Sequence, residues 1–155
     1  MTRNGCRRLS TLALLLCSLL VVAGCGDDAD SDEGQVKDVI TGFFADVAEN
    51  RGTEACDALT TGTVRAFSAV APVSGVPATC PDNISAAYGK LGDEEKEALK
   101  RAKVREVTIR GDTATVSPED VEFEHEGQSA LLSSIRSGPV VLKKAGDEWK
   151  IETMG

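Results

Sequence analysis

Apolar positions along this chain change their period about two-thirds of the way through. Val36, Val39, Ile40, Phe43, Phe44 and Val47 fall three or four residues apart, which lines one face of a helix. Asp32 with Gln35 predicts a capping box at its start. Asn50-Arg51-Gly52 predicts its end, with Gly52 suited to the left-handed closing position. Thr53 is placed to cap a short helix carrying Cys56 and Leu59. Thr61 is placed to cap another carrying Val64 and Phe67, which Pro72 ends. Pro72, Gly75 and Pro77 mark residues 72–80 as a loop. Pro81 suits the first position of a helix containing Ile84, Ala87, Tyr88 and Leu91, and Asp93 caps a highly charged helix running through Ala102.

Beyond that point the period becomes two. Arg105, Val107 and Ile109 alternate with Glu106, Thr108 and Arg110, and Gly111-Asp112 is a turn signal. Ala114 and Val116 alternate with Thr113, Thr115 and Ser117. After Pro118, Val121, Phe123 and His125 point one way while Glu122, Glu124 and Glu126 point the other. Gly127 turns the chain, and residues 129–136 read equally as a helical turn or a strand. Pro139 opens a run of Val140, Val141 and Leu142. Gly146-Asp147 turns it into Trp149, Ile151 and Thr153 on one face. Helices first and an antiparallel meander after them predict an α+β fold, with helices packed on one face of a curved sheet.

The first 25 residues follow neither pattern. Arg3, Arg7 and Arg8 precede an apolar stretch from Leu9 to Val22, which is short for a membrane-spanning helix and suits the core of a signal peptide. Val22-Ala23-Gly24-Cys25 closes it, and these four residues resemble the lipobox of bacterial lipoproteins. The resemblance implies cleavage after Gly24, a diacylglycerol on the Cys25 thiol, and a protein held by its acyl chains on the outer face of the cytoplasmic membrane. Gly26 to Gly34 crowds Asp27, Asp28, Asp30, Asp32 and Glu33 without a large apolar residue, a composition suited to a solvated tether over residues 25–34. Residues 35–155 then form one domain.

Charge narrows the partners. The chain has 155 residues, with 17 basic and 25 acidic ones. Every acidic residue follows Cys25, and loss of three arginines with the leader leaves 14 basic against 25 acidic, a balance of −11. Such a domain repels nucleic acid, so nucleic acid is not an expected partner. Of five cysteines, Cys6 and Cys17 leave with the leader and Cys25 takes the lipid; Cys56 and Cys80 remain. Two cysteines in an exported domain point to a disulfide, with two buried free thiols as the alternative. One histidine and this cysteine pattern match no zinc site, and no cofactor is expected.

The long first helix with Phe43-Phe44, the Ala55-Cys56 and Cys80 pair, and the ending Val140-Val141-Leu142-Lys143-Lys144 with Gly146-Asp147-Glu148-Trp149-Lys150-Ile151 resemble the nuclear-transport-factor-2-like, cone-shaped fold. They are also similar to small exported lipoproteins of high-GC Gram-positive bacteria. The resemblance implies a pocket between the curved sheet and the first helices. Some members of this superfamily are isomerases or dehydratases using Asp, His or Tyr there; others bind small apolar ligands or dimerise through the sheet. His125, the only histidine, and Tyr88 are the catalytic candidates. Phe43, Phe44, Phe67 and Trp149 are the candidates for lining a pocket. Glu122, Glu124 and Glu126 read as a solvated acidic stripe rather than a cation site. The leading expectation is a non-enzymatic, membrane-anchored module that binds a small apolar ligand or an envelope protein, with a homodimer through the sheet among its assemblies. A cofactor-free isomerase or dehydratase is the alternative.

Overall fold

The computed structural model describes residues 31–69, 78–124 and 137–155. Cys25, the tether up to residue 30, Pro72, most of the 72–80 loop, His125, Glu126, Gly127 and residues 129–136 lie outside the described residues. Helix α1 spans Asp32–Ala48, α2 Gly52–Asp57, α3 Thr61–Ala69, α4 Cys80–Tyr88 and α5 Asp93–Lys100. The strands are β1 Lys103–Val104, β2 Thr108–Arg110, β3 Thr113–Val116, β4 Val121–Glu122, β5 Val140–Ala145 and β6 Glu148–Met154. The expected α+β class, helices first and antiparallel strands after, is what the chain adopts.

Helix α1 is the spine of the core. Its predicted stripe is inside: Val36, Ile40, Phe43, Phe44 and Val47 are all buried. Its ends differ from the sequence reading. Ser31, not Asp32, is the N-cap, and its hydroxyl accepts from the Gly34 N–H at 3.0 Å. Asp32 through Gly34 are therefore helical rather than part of a tether. At the other end Asn50, not Gly52, takes the left-handed conformation, with φ 58°. Arg51 N–H reaches the Asp46 carbonyl and Asn50 N–H reaches that of Val47, which is the double bond of a Schellman close. Asn tolerates this conformation because its short polar side chain bonds locally.

Gly52 serves a different purpose. A Cβ there would lie 2.9 Å from the Pro81 carbonyl oxygen, so a side chain would force α2 away from α4. That close approach lets Cys56 of α2 and Cys80 of α4 form a disulfide, with Cα atoms 6.2 Å apart. Helix α2 starts behind Arg51 rather than at a Thr53 cap, and it stops before Leu59. Thr60, one residue before the expected Thr61, bonds the start of α3 through its hydroxyl. Thr79 caps α4 reciprocally with Asp82, Pro81 takes the second helical position rather than the first, and Leu91 falls beyond the helix end. Gly92, not Asp93, precedes α5, and its N–H is held by the Glu95 carboxylate at 2.9 Å.

The sheet order is β2-β3-β5-β6, all antiparallel, with β1 and β4 paired separately. The two sheets are segments of one long hairpin. Lys103 faces Glu122 and Thr108 faces Thr115, so five steps on one arm oppose seven on the other. The 3-10 turn Pro118–Asp120 absorbs the excess. Alternation holds in β3, where Ala114 and Val116 are buried and Thr113 and Thr115 face the open side. It fails once, in β6. Val141 faces Thr153 while Leu142 faces Ile151, so Glu152 is an extra residue in a bulge. The bulge reverses the phase, which turns Thr153 outward and away from the buried face of Trp149 and Ile151.

Candidate functional site

The predicted pocket residues separate into two groups. Phe43, Phe44 and Trp149 are within 2% of complete burial and belong to the core. Phe44 meets Phe43 and Phe123 edge to face, with ring centroids 5.8 and 5.4 Å away. Val116, Val140, Leu142 and Ile151 from the sheet are fully buried against them. Among the described residues, side chains pack the space between α1 and the sheet, and these three aromatics sit in that core. Apolar residues at helical spacing are selected by burial itself, which gives a core stripe and a pocket wall the same signature.

Phe67 is different. It is half-buried on α3, a helix with no fully buried residue among those described. With Thr60, Gly62, Thr63, Ala66 and Glu152 it lines an open groove of about 450 Å³. Local geometry builds this groove. The segment Ala58–Thr60 runs beside β6, with Ile151 N–H bonded to the Ala58 carbonyl and Thr60 N–H to the Ile151 carbonyl, both at 2.8 Å. The Thr63 hydroxyl donates to the Glu152 carbonyl at 2.6 Å. The bulge therefore turns Glu152 to the groove rim, a role that bulges often serve beside binding surfaces. The wall of Phe67, Ala66, Gly62 and two threonines suits a small apolar molecule with one or two hydrogen-bonding groups.

Tyr88 lies at the junction of α4 and α5, half-buried, with the Lys96 ammonium 4.2 Å from its ring centroid. It is not brought to the groove. His125 and Glu126 lie outside the described residues. Glu122 and Glu124 are exposed as expected, and the surrounding cations were not foreseen. Arg105 reaches Glu122 at 3.2 Å, and Arg101 and Lys103 reach Glu124 at 3.2 and 3.6 Å. The hydrogen bond from Arg101 holds the Glu124 carboxyl below its usual range. A second concavity of about 340 Å³ lies here, between α5 and Glu124. Among the described residues no group of three His, Cys, Asp or Glu side chains is placed to hold a metal ion, and no helix is long and apolar enough to cross a membrane.

One polar cluster was not visible in the sequence. Asp32 Oδ1 accepts from Lys144 Nζ at 2.6 Å and from the Trp149 indole N–H at 3.1 Å. The hydrogen bond from Lys144, then that from Trp149, holds the Asp32 carboxyl below the usual 3.8. A depressed carboxyl stabilises the folded state above its unfolded-state pKa, and that contribution is lost as pH falls through the lower folded value. The cluster is therefore intact throughout the neutral range. Trp149 is the only tryptophan, so its emission reports this contact together with the surrounding core. Acid titration is expected to shift its emission only below pH 3.8, ahead of or with unfolding, and Asp32→Ala is expected to give the shifted spectrum already at pH 7. An unchanged spectrum in Asp32→Ala would show that the indole N–H does not depend on this carboxylate.

Comparison of the chain with protein-family models, with curated proteins and with solved structures returned no match, so its architecture and surfaces stand on their own geometry.

Proposed function

We propose that this protein is an exported lipoprotein, anchored through acyl chains on Cys25 to the outer face of the cytoplasmic membrane, whose globular part is a non-enzymatic binding module. The observation that supports the binding reading is the open groove of about 450 Å³ beside Phe67, which leaves an apolar side chain half-exposed at a concave surface. The wrapping of helices over one face of a bent sheet is compatible with a nuclear-transport-factor-2-like cone. Export is supported by the Cys56–Cys80 disulfide, a bond that persists in oxidising compartments and rarely in the cytosol. The ligand class is a small apolar molecule or an exposed apolar side chain of an envelope protein.

Metabolic labelling with radioactive palmitate in a bacterial host tests the anchor. The wild-type chain is expected to carry the label and sediment with membranes, and Cys25→Ser to lose both. Label retained by Cys25→Ser defeats the anchor assignment. Native mass spectrometry of the protein extracted from that envelope tests the module, through retained ligand or partner mass that Phe67→Glu removes.

A further inference from the structure

The two edges of the four-stranded sheet are treated differently. The β6 edge is covered by Ala58–Thr60, as described above. The β2 edge has no neighbouring strand among the described residues. Its free backbone groups can be assigned. Lys144 N–H bonds to the Asp112 carbonyl, which continues the β3–β5 ladder and places the N–H and C=O of Ala114 toward β5. In an antiparallel pair the residue opposite Ala114, Ile109, then turns its own N–H and C=O to the outer edge. Among the described residues, neither Ile109 nor its neighbours in β2 have a backbone hydrogen-bond partner beyond those of the sheet.

Beside this edge lies a charge anomaly. Arg110 faces Thr113, Thr113 faces Lys143, and Lys143 faces Lys150, one row straight across the open side. Lys150 is neutralised by Glu148 at 2.8 Å. Among the described residues, Lys143 donates to the Thr113 hydroxyl, at 2.7 Å, and meets no carboxylate. Arg110 meets no carboxylate among the described residues. In a chain where acidic residues outnumber basic ones 25 to 17, two cations in one cross-strand row without carboxylates among the described residues are unexpected. They flank a concavity of about 400 Å³ lined by Thr108, Arg110, Thr113 and Thr115.

We propose that the β2 edge is a docking strand for an extended, acidic peptide segment of an envelope partner. This rests on the binding-module reading and adds a second surface to it, apart from the Phe67 groove. The peptide backbone pairs with Ile109, adding a fifth strand, and its alternate carboxylates lie on the open face against Arg110, with Lys143 further along the same row adding positive field. Threonine hydroxyls at 108, 113 and 115 supply further donors. Charge complementarity selects the peptide's sign, and the exposed backbone selects its extended form.

The test uses the full chain in detergent micelles and three eight-residue probes: one alternating Glu with Thr, its Lys-for-Glu counterpart, and the acidic probe with N-methylated backbone amides. Fluorescence anisotropy is expected to show the acidic probe binding at least about tenfold tighter than both others, more weakly as salt rises. Arg110→Glu with Lys143→Glu is expected to abolish the preference. Ile109→Pro is expected to weaken binding while keeping its salt dependence, with Trp149 emission confirming the fold of each variant. Equal binding of the three probes, or an acidic preference unchanged in the charge-reversed variant, overturns the proposal. So does a dimer in light scattering that Ile109→Pro dissociates, since a second copy would then own the edge. A ligand retained in native mass spectrometry and lost in Phe67→Glu, with no acidic-probe preference, overturns this surface and leaves the module reading standing.

Discussion

Phe44→Ala is expected to remove about 3–5 kcal/mol of folding stability, the largest effect of any single substitution considered for this chain. The ring is fully buried. It stands edge-on to Phe43 and Phe123, which come from its own helix and from the end of the long hairpin. Loss of its transfer energy leaves a cavity that two flanking rings cannot both collapse into, because Phe43 is fixed on the same backbone. A small domain has about 5–15 kcal/mol in total, so the variant is expected to sit close to its unfolding threshold at 37 °C. Urea denaturation followed by Trp149 emission measures it. A loss below about 1 kcal/mol would show that the ring is not a core residue. Phe67→Ala is the built-in contrast: half-exposed at the groove, it is expected to cost far less.

The second large effect concerns Cys56 and Cys80. Their bond closes a loop with a sequence separation of 24. In the chain-entropy account, restricting that loop in the unfolded state contributes about 3 kcal/mol. The double variant Cys56→Ala/Cys80→Ala is expected to lower Tm by roughly 10 °C. Wild-type protein in reductant should fall by a similar amount, and the alanine variant should not respond to reductant. Differential scanning calorimetry with and without dithiothreitol decides it. A reductant-insensitive wild type would mean that the sulfurs are not bonded. Because α2 and α4 also meet through Gly52 and Pro81, the variant should keep the fold, with α4 the first element to loosen.

Local patterns carried much of this architecture. Helix α1 was readable because six apolar residues repeat at one period over several turns, and the β2–β3 and β5–β6 hairpins were readable because Gly-Asp follows an alternating run in the first and a continuous apolar run in the second. The errors came from features set by neighbours distant in sequence. Asn50 and Gly52 each suited the left-handed helix end, and only the contact with Pro81, 29 positions further on (81 − 52), assigns Gly52 elsewhere. The bulge at Glu152 leaves no local mark, because Ile151 and Thr153 keep the alternation that the register then breaks.

Surfaces were less legible than elements. The sequence does not separate Phe67 from Phe43 and Phe44, since all three occupy helical apolar positions. Arg110, Thr113 and Lys143 escaped notice because their row exists only once β3 and β5 pair across more than twenty intervening residues. Asp32 read as one more charge of an acidic run. Its bonds to Lys144 and Trp149 depend on where the far end of the chain returns.

The position of Asp32 has a mechanical consequence. It opens α1, so tension arriving from upstream residues enters the fold at that first turn. There the carboxylate grips the β5–β6 hairpin at two points on its closed end. A pull on the chain is thus shared at once between the longest helix and the two longest strands, instead of peeling α1 away turn by turn. The load path runs through a side chain that is charged at every pH above the acid range.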